Sequence, residues 1–246
     1  MNGKTSVHLA KQAVFFFAGL WILSWGIVCT VKADLGVAPW DTLHIGLSMV
    51  LGLTIGFWMT VVGILIVGLT CLLTREWPRW GTLGNMLFVG PFVDAIMWME
   101  LVPDPESLVG RWGLFFIGLL LIAAGVGMYI APKVGAGPRD GLTLELSRLS
   151  GWSIGRVRTI MEMTVLCAGW LLGGPIHIGT LFFCVFTGPL MQASIRLFDR
   201  VWGNWLKRGD RLENIDKGTV RPDDHDGSGF PLREGTDSSE ERGRTA

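Results

Sequence analysis

The sequence predicts an all-α membrane protein of six transmembrane helices, arranged as two inverted three-helix repeats, each with a short non-spanning helix after its first span. Three observations predict it. Apolar runs long enough to cross a bilayer recur six times, basic residues gather on one side of them, and the first half of the chain recurs in the second.

Composition bounds the class. Of 246 residues, 50% are hydrophobic and 17% charged, with a mean hydropathy of +0.44; an ordinary soluble domain carries about 25% charged residues. The net charge of +0 conceals a division, since residues 1–208 carry 15 Lys/Arg against 11 Asp/Glu while 209–246 carry six against ten. That acidic tail has too few apolar side chains to offset its ordering entropy and is predicted to be disordered. No continuous basic stretch suggests a nucleic-acid partner. Cys29, Cys71, Cys167 and Cys184 lie in apolar runs without a CxxC pair or a neighbouring histidine, and read as buried free thiols. No metal or other cofactor is predicted.

The elements follow in order. Residues 1–12 form an N-terminal segment with Lys4 and Lys11. The first span, 13–31, is too long for a signal sequence and lacks a small-residue cleavage site. Spans 54–74 and 81–99 complete the first repeat, 13–101, and 102–111 make an outer loop. The second repeat, 112–196, holds spans 112–131, 159–172 and 178–195. A helix needs about 20 mainly apolar residues to span, so the fifth must begin near Gly155, with Arg156 and Arg158 reaching out to the interface. Beyond it, 197–208 places Leu197, Val201 and Trp205 on one face among basic residues, the pattern of an interfacial helix.

Charge sets the orientation. With the N-terminus cytoplasmic, 13 Lys/Arg fall in inner segments and two, Lys32 and Arg111, in outer ones. By the positive-inside rule both termini are cytoplasmic, and Trp77, Trp80, Trp98, Trp112 and Trp152 fall at span ends as interfacial anchors do.

Repetition is the strongest signal. An offset of 99 residues aligns FFAGL (16–20) with FFIGL (115–119), and Gly26 with Gly125. It also aligns GVAPWDTL (36–43) with GAGPRDGL (135–142) and Ser48 with Ser147, for 15 identities across 16–60. An offset of 98 then pairs GTL (81–83) with GTL (179–181) and Gly90-Pro91 with Gly188-Pro189. Each copy holds an odd number of spans, so the second must run opposite to the first. Such inverted repeats recur among secondary transporters.

Three features could carry chemistry. The first is the paired GxxPxD segment: Gly36, Pro39, Asp41 and Gly135, Pro138, Asp140. Proline suits a helix's first turn, so each segment predicts a short helix start. Both aspartates read either as caps of those helices or as part of two half-helix N-termini facing a central anionic ligand. Arg139, where the first copy has Trp40, would strengthen an anion site or simply obey the charge rule.

The second feature is Gly-Pro within the third and sixth spans. Pro91 and Pro189 each free a carbonyl and kink their helices, either for close packing or as a gate or ligand at mid-bilayer. The third is scattered intramembrane polarity: Asn85, Asp94, its repeat counterpart Gln192, and Glu162 four residues after Arg158. Charge at depth is functional by default, and Asp94 is the better candidate for a substrate or proton role. Glu162 reads as a local pair with Arg158. His44 and His177 read as solvated histidines without a second metal ligand.

The paired GxxPxD and GT…GP elements resemble the bacterial YczE/YyaS/YitT-like integral membrane family, over roughly residues 13–200. The resemblance implies a plasma-membrane location and a helical architecture, and carries over no catalytic residue. The leading expectation is a small secondary-transporter-like protein of unknown small-molecule or ion substrate, rocking around Pro91 and Pro189 and able to form a homodimer. The alternative is a non-transporting scaffold that recruits partners through its acidic tail. No nucleophile–base pair or phosphate loop can be assembled, so an enzyme is not expected.

Overall fold

Residues 2–135 and 137–216 are described by the computed structural model, and every regular element among them is a helix. In order these are α1 (Asn2–Ala33), α2 (Pro39–Leu51), α3 (Ile55–Thr74), α4 (Trp80–Trp98), α5 (Leu108–Ile130), α6 (Pro138–Ser150), α7 (Ile154–Leu171) and α8 (Ile178–Asp216). Four of them are long and apolar enough to cross a membrane: α1 over His8–Ala33, α3, α5, and α8 over Ile178–Trp205. The other two expected spans, α4 and α7, are 19 and 18 residues long. Asn85, Pro91 and Asp94 dilute the first, and Arg156, Arg158 and Glu162 the second.

Several ends differ from expectation. Helix α1 begins at Asn2, so most of 1–12 is helical. Helix α8 continues unbroken through 197–208, which is therefore no separate helix, and through 209–216, which the sequence places in the acidic tail. No proline follows Pro189 before residue 222, and Gly203 and Gly209 alone weaken a helix by only about 1 kcal/mol each. The rest of the acidic tail, 217–246, lies outside the described residues, and the compact body ends at Gly203.

At the centre of that body α1 crosses α5. Four glycines at equivalent repeat positions make the crossing close: Gly19 and Gly26 on α1, Gly118 and Gly125 on α5. A Cβ on Gly26 would stand 2.6 Å from the backbone nitrogen of Ile122, and one on Gly125 would stand 2.4 Å from that of Leu23. Small residues at such crossings let apolar helices associate without a hydrophobic driving force. Around them pack the equivalent pairs Phe16 with Phe115 and Leu20 with Leu119, all buried. The outer faces of the bundle are apolar instead, as at Leu65, Leu72, Ile117, Leu181 and Val185, which suits lipid rather than water.

The short helices are exchanged between the halves. Helix α2 packs on α7, and α6 packs on α3. Each begins at the expected proline, Pro39 or Pro138. Ahead of them the loops are crossed in the same way. The Gly179 N–H donates to the Leu35 carbonyl at 2.7 Å, and the Gly81 N–H to the Val134 carbonyl at 3.2 Å. Gly36 and Gly135 follow those carbonyls with φ of +115° and +153°. A Cβ at either would press on the backbone nitrogen of Thr180 or of Thr82, so the GT elements and the GxxPxD elements are two sides of one contact. Further in, the Ser48 hydroxyl donates to the Leu53 carbonyl at 2.7 Å and the Ser147 hydroxyl to the Trp152 carbonyl at 2.6 Å.

Candidate functional site

Between these helices lies a cavity of about 400 Å³, lined by residues of all eight. Its apolar wall comes from the α1–α5 crossing, with Leu23, Ile27, Ile122 and Val126. Its polar wall is built where the two GxxPxD turns converge, and the crossed packing of α2 and α6 carries their first turns inward.

Arg139 lies over the Trp40 ring, with the guanidinium carbon 4.9 Å from the centroid. Its Nη2 stands 3.9 Å from Asp41 Oδ1, and His44 Nδ1 stands 3.7 Å from the same oxygen. Both separations exceed hydrogen-bond range, and neither Asp41 Oδ1 nor His44 Nδ1 has a hydrogen-bond partner although both residues are buried. On α7, Arg158 Nε bonds Glu162 Oε1 at 3.0 Å, and Arg158 Nη1 stands 4.0 Å from Asp140 Oδ1. The arginines remain accessible within the cavity, with 40% of the Arg139 and 47% of the Arg158 side-chain surface exposed.

Burial pushes the His44 imidazole below its ordinary value; Asp41 opposes the shift and Arg139 adds to it. The ring is therefore neutral at neutral pH. Burial likewise raises the Asp140 carboxyl, against the pull of Arg158 and Arg139.

The two N-caps, Ala38 and Gly137, supply no side-chain cap bond. The aspartates of both turns face the cavity, together with Pro39, Pro138, Arg139 and Asn85. Gln192 also lines it, whereas Asp94 does not. Asp94 instead holds α4 to α3, with Oδ1 accepting from the Gly56 N–H at 2.9 Å and Oδ2 from the Thr54 hydroxyl at 2.6 Å.

The Gly-Pro elements divide their labour by residue. Gly90 and Gly188 line the cavity, while Pro91 and Pro189 are exposed on the outer face. Here the halves diverge. A Cβ on Gly56 would stand 2.1 Å from the Gly90 carbonyl oxygen, so α3 and α4 are in backbone contact. At the equivalent Gly155 and Gly188 an added Cβ meets nothing within 4 Å. One seam is shut and its counterpart open.

The family described as "Family of unknown function (DUF6198)" matches residues 10–196, a stretch that contains every cavity-lining residue from Leu23 to Gln192. The chain belongs to this family. It is similar to the uncharacterized membrane protein YczE of Bacillus subtilis (strain 168), with 41% identity over 76% of this chain and 87% of the relative. YyaS of the same organism is 32% identical over 80% of this chain and 98% of its own length. An uncharacterized protein of Haemophilus influenzae is 29% identical over 77% and 85%. No solved structure matches the chain. The expected YczE-like membership and membrane character are thus shown.

In this DUF6198 chain, sequence reasoning passed over several cavity residues. His44 is not solvated but 1% exposed, because α2 turns its first two turns into the body. Tyr129, the single tyrosine of the chain, is buried with its hydroxyl beside Gly137. Arg158 and Glu162 form the expected local pair, but inside the cavity rather than apart from it. Of the four thiols only Cys29 is buried, and Cys184 lines the cavity; apolar neighbours in a membrane sequence do not distinguish a lipid-facing position from a packed one. A usable signal was present in Trp40 and Arg139, which occupy the same repeat position with opposite chemistry.

Proposed function

We propose that this chain is a small solute transporter of the bacterial plasma membrane, built from two three-span halves that run in opposite directions. The observation that carries the reading is the charged cavity enclosed by all eight helices. Substrate sites at the repeat interface, formed by discontinuous helices, are typical of inverted-repeat transporters. A dry scaffold has no use for five Asp, Glu and Arg side chains around an interior void.

The seams supply a direction. In the inverted arrangement, the Gly56–Gly90 contact closes the outer half of the body, while Gly155 and Gly188 lie open on the inner half. The cavity then faces the cytoplasm. Transport requires the reverse shape, with the second seam closed and the first parted. The role is one of passage rather than catalysis, and both termini are cytoplasmic.

Cysteine labelling tests the reading. In a background lacking the four native thiols, cysteines at Ser48 and Ser147 react with a membrane-impermeant maleimide from opposite sides of the membrane. A cysteine replacing Asn85 or Gln192 reacts from the inside in this shape and from the outside in the other. Labelling of Ser48 and Ser147 positions from one side overturns the inverted arrangement, and cavity positions inert from both sides overturn transport.

A further inference from the structure

The two repeats serve as internal controls for each other's charges. In the second, Asp140 has Arg158 at 4.0 Å. The residue equivalent to Arg158 in the first repeat is Met59, which also lines the cavity. No arginine of its own repeat therefore serves Asp41, whose side chain is 4% exposed against 36% for Asp140. The nearest cation, Arg139, comes from the other repeat, stands 3.9 Å away, beyond hydrogen-bond range, and lays its face on Trp40. Beside the bare oxygen stands His44 Nδ1, also without a partner. A buried acceptor left unpaired costs about 1–3 kcal/mol, so a position of this kind selects for a donor brought from outside.

We propose that the cavity binds a small organic cation bearing N–H donors, a primary amine or its like, with its ammonium group on the cavity side of the Asp41–His44 pair. The lining carries Asp41, Asp140 and Glu162 against Arg139 and Arg158, so an entering anion meets more acid than base and a monocation completes the balance. An ammonium offers three donors in one compact charge and can serve the carboxylate and the imidazole together. A quaternary ammonium, which has no N–H, cannot. A transition-metal ion fits poorly, because no cluster of three or more His, Cys, Asp or Glu groups forms among the described residues. The apolar wall at Ile122 and Val126 then takes the hydrocarbon part of the ligand.

The proposal rests on the cavity being the ligand site of the transport reading, but binding alone tests it. The purified full-length chain in lipid nanodiscs is unfolded thermally while ethylammonium chloride, tetramethylammonium chloride, sodium acetate and sodium chloride are titrated at constant ionic strength. Ethylammonium raises the Tm with saturation, as ligand linkage requires, and the other three do not. Asp41→Asn weakens the apparent affinity by at least about tenfold, whereas Glu100→Gln, outside the cavity, leaves it unchanged. Met59→Arg places in the first repeat the arginine that the second carries; it retains a cooperative unfolding transition and loses the ethylammonium response. Stabilisation by acetate or equally by tetramethylammonium, or an undiminished ethylammonium response in Met59→Arg, overturns the assignment. If cavity labelling fails while ethylammonium binds, transport is lost and the ligand class stands.

Discussion

The guanidinium of Arg139 rests on the indole of Trp40, at 4.9 Å from the ring centroid, although the two residues hold the same position in different repeats. Equivalent residues can touch only where two copies converge, so this contact marks the meeting point of the duplicated turns. Arg139→Leu removes the ring contact and the nearest positive charge to Asp41. Because the guanidinium is partly solvated, the expected loss is about 1–2 kcal/mol, read as a lower Tm. Arg139→Lys recovers part of it, since lysine keeps the charge without the flat face.

The two seams predict opposite responses to one substitution. Gly56→Ala or Gly90→Ala forces a methyl into opposing backbone, and overpacking of this kind costs about 1–3 kcal/mol. Gly155→Ala and Gly188→Ala meet empty space. They leave the resting fold as stable or raise it by up to about 1 kcal/mol, the helix advantage of alanine. A bulky Gly188→Leu keeps the Tm and abolishes external labelling of the Gln192 position, because the second seam cannot close.

Asp94 tethers two helices rather than facing the cavity. Asp94→Ala takes away acceptors for the Gly56 N–H and the Thr54 hydroxyl, for an expected loss of about 1–3 kcal/mol. Ethylammonium affinity in the folded fraction stays within about twofold of the parent. A selective loss of ligand response, with unchanged Tm, would return Asp94 to the site.

Gly36→Ala and Gly135→Ala test the loop contacts as a matched pair. Both positions have positive φ and a backbone nitrogen beneath the missing side chain. Each is expected to lower stability by about 1–3 kcal/mol, measured by thermal unfolding in lipid.

Much of the helical fold was legible, and the reason is physical. Spans are long and apolar because a bilayer demands it, so α3 and α5 begin and end within about four residues of their sequence boundaries. The proline starts of α2 and α6 were equally plain, since proline at a first turn has a local cause. What escaped was whatever depends on partners distant in the chain. Nothing near Asp94 announces that its acceptors serve α3, and nothing near His44 announces burial. The cavity was legible only by halves. Asp41 and Asp140 drew attention through the paired GxxPxD segment and Asn85 and Gln192 as polar residues at depth, but Met59 matters through what its equivalent is, which appears only when the two copies are read against each other in space.

Leu35 finishes a helix terminus that belongs to the other half of the chain, and Val134 does the same in return. Expressed alone, either half would expose an unfinished end and an unused carbonyl, so neither is a self-sufficient folding unit. Mixed as separate polypeptides, the two should restore each other's missing bonds. On the inverted arrangement proposed above, a single-copy chain meets both needs only as a twofold pair whose members cross the membrane in opposite senses.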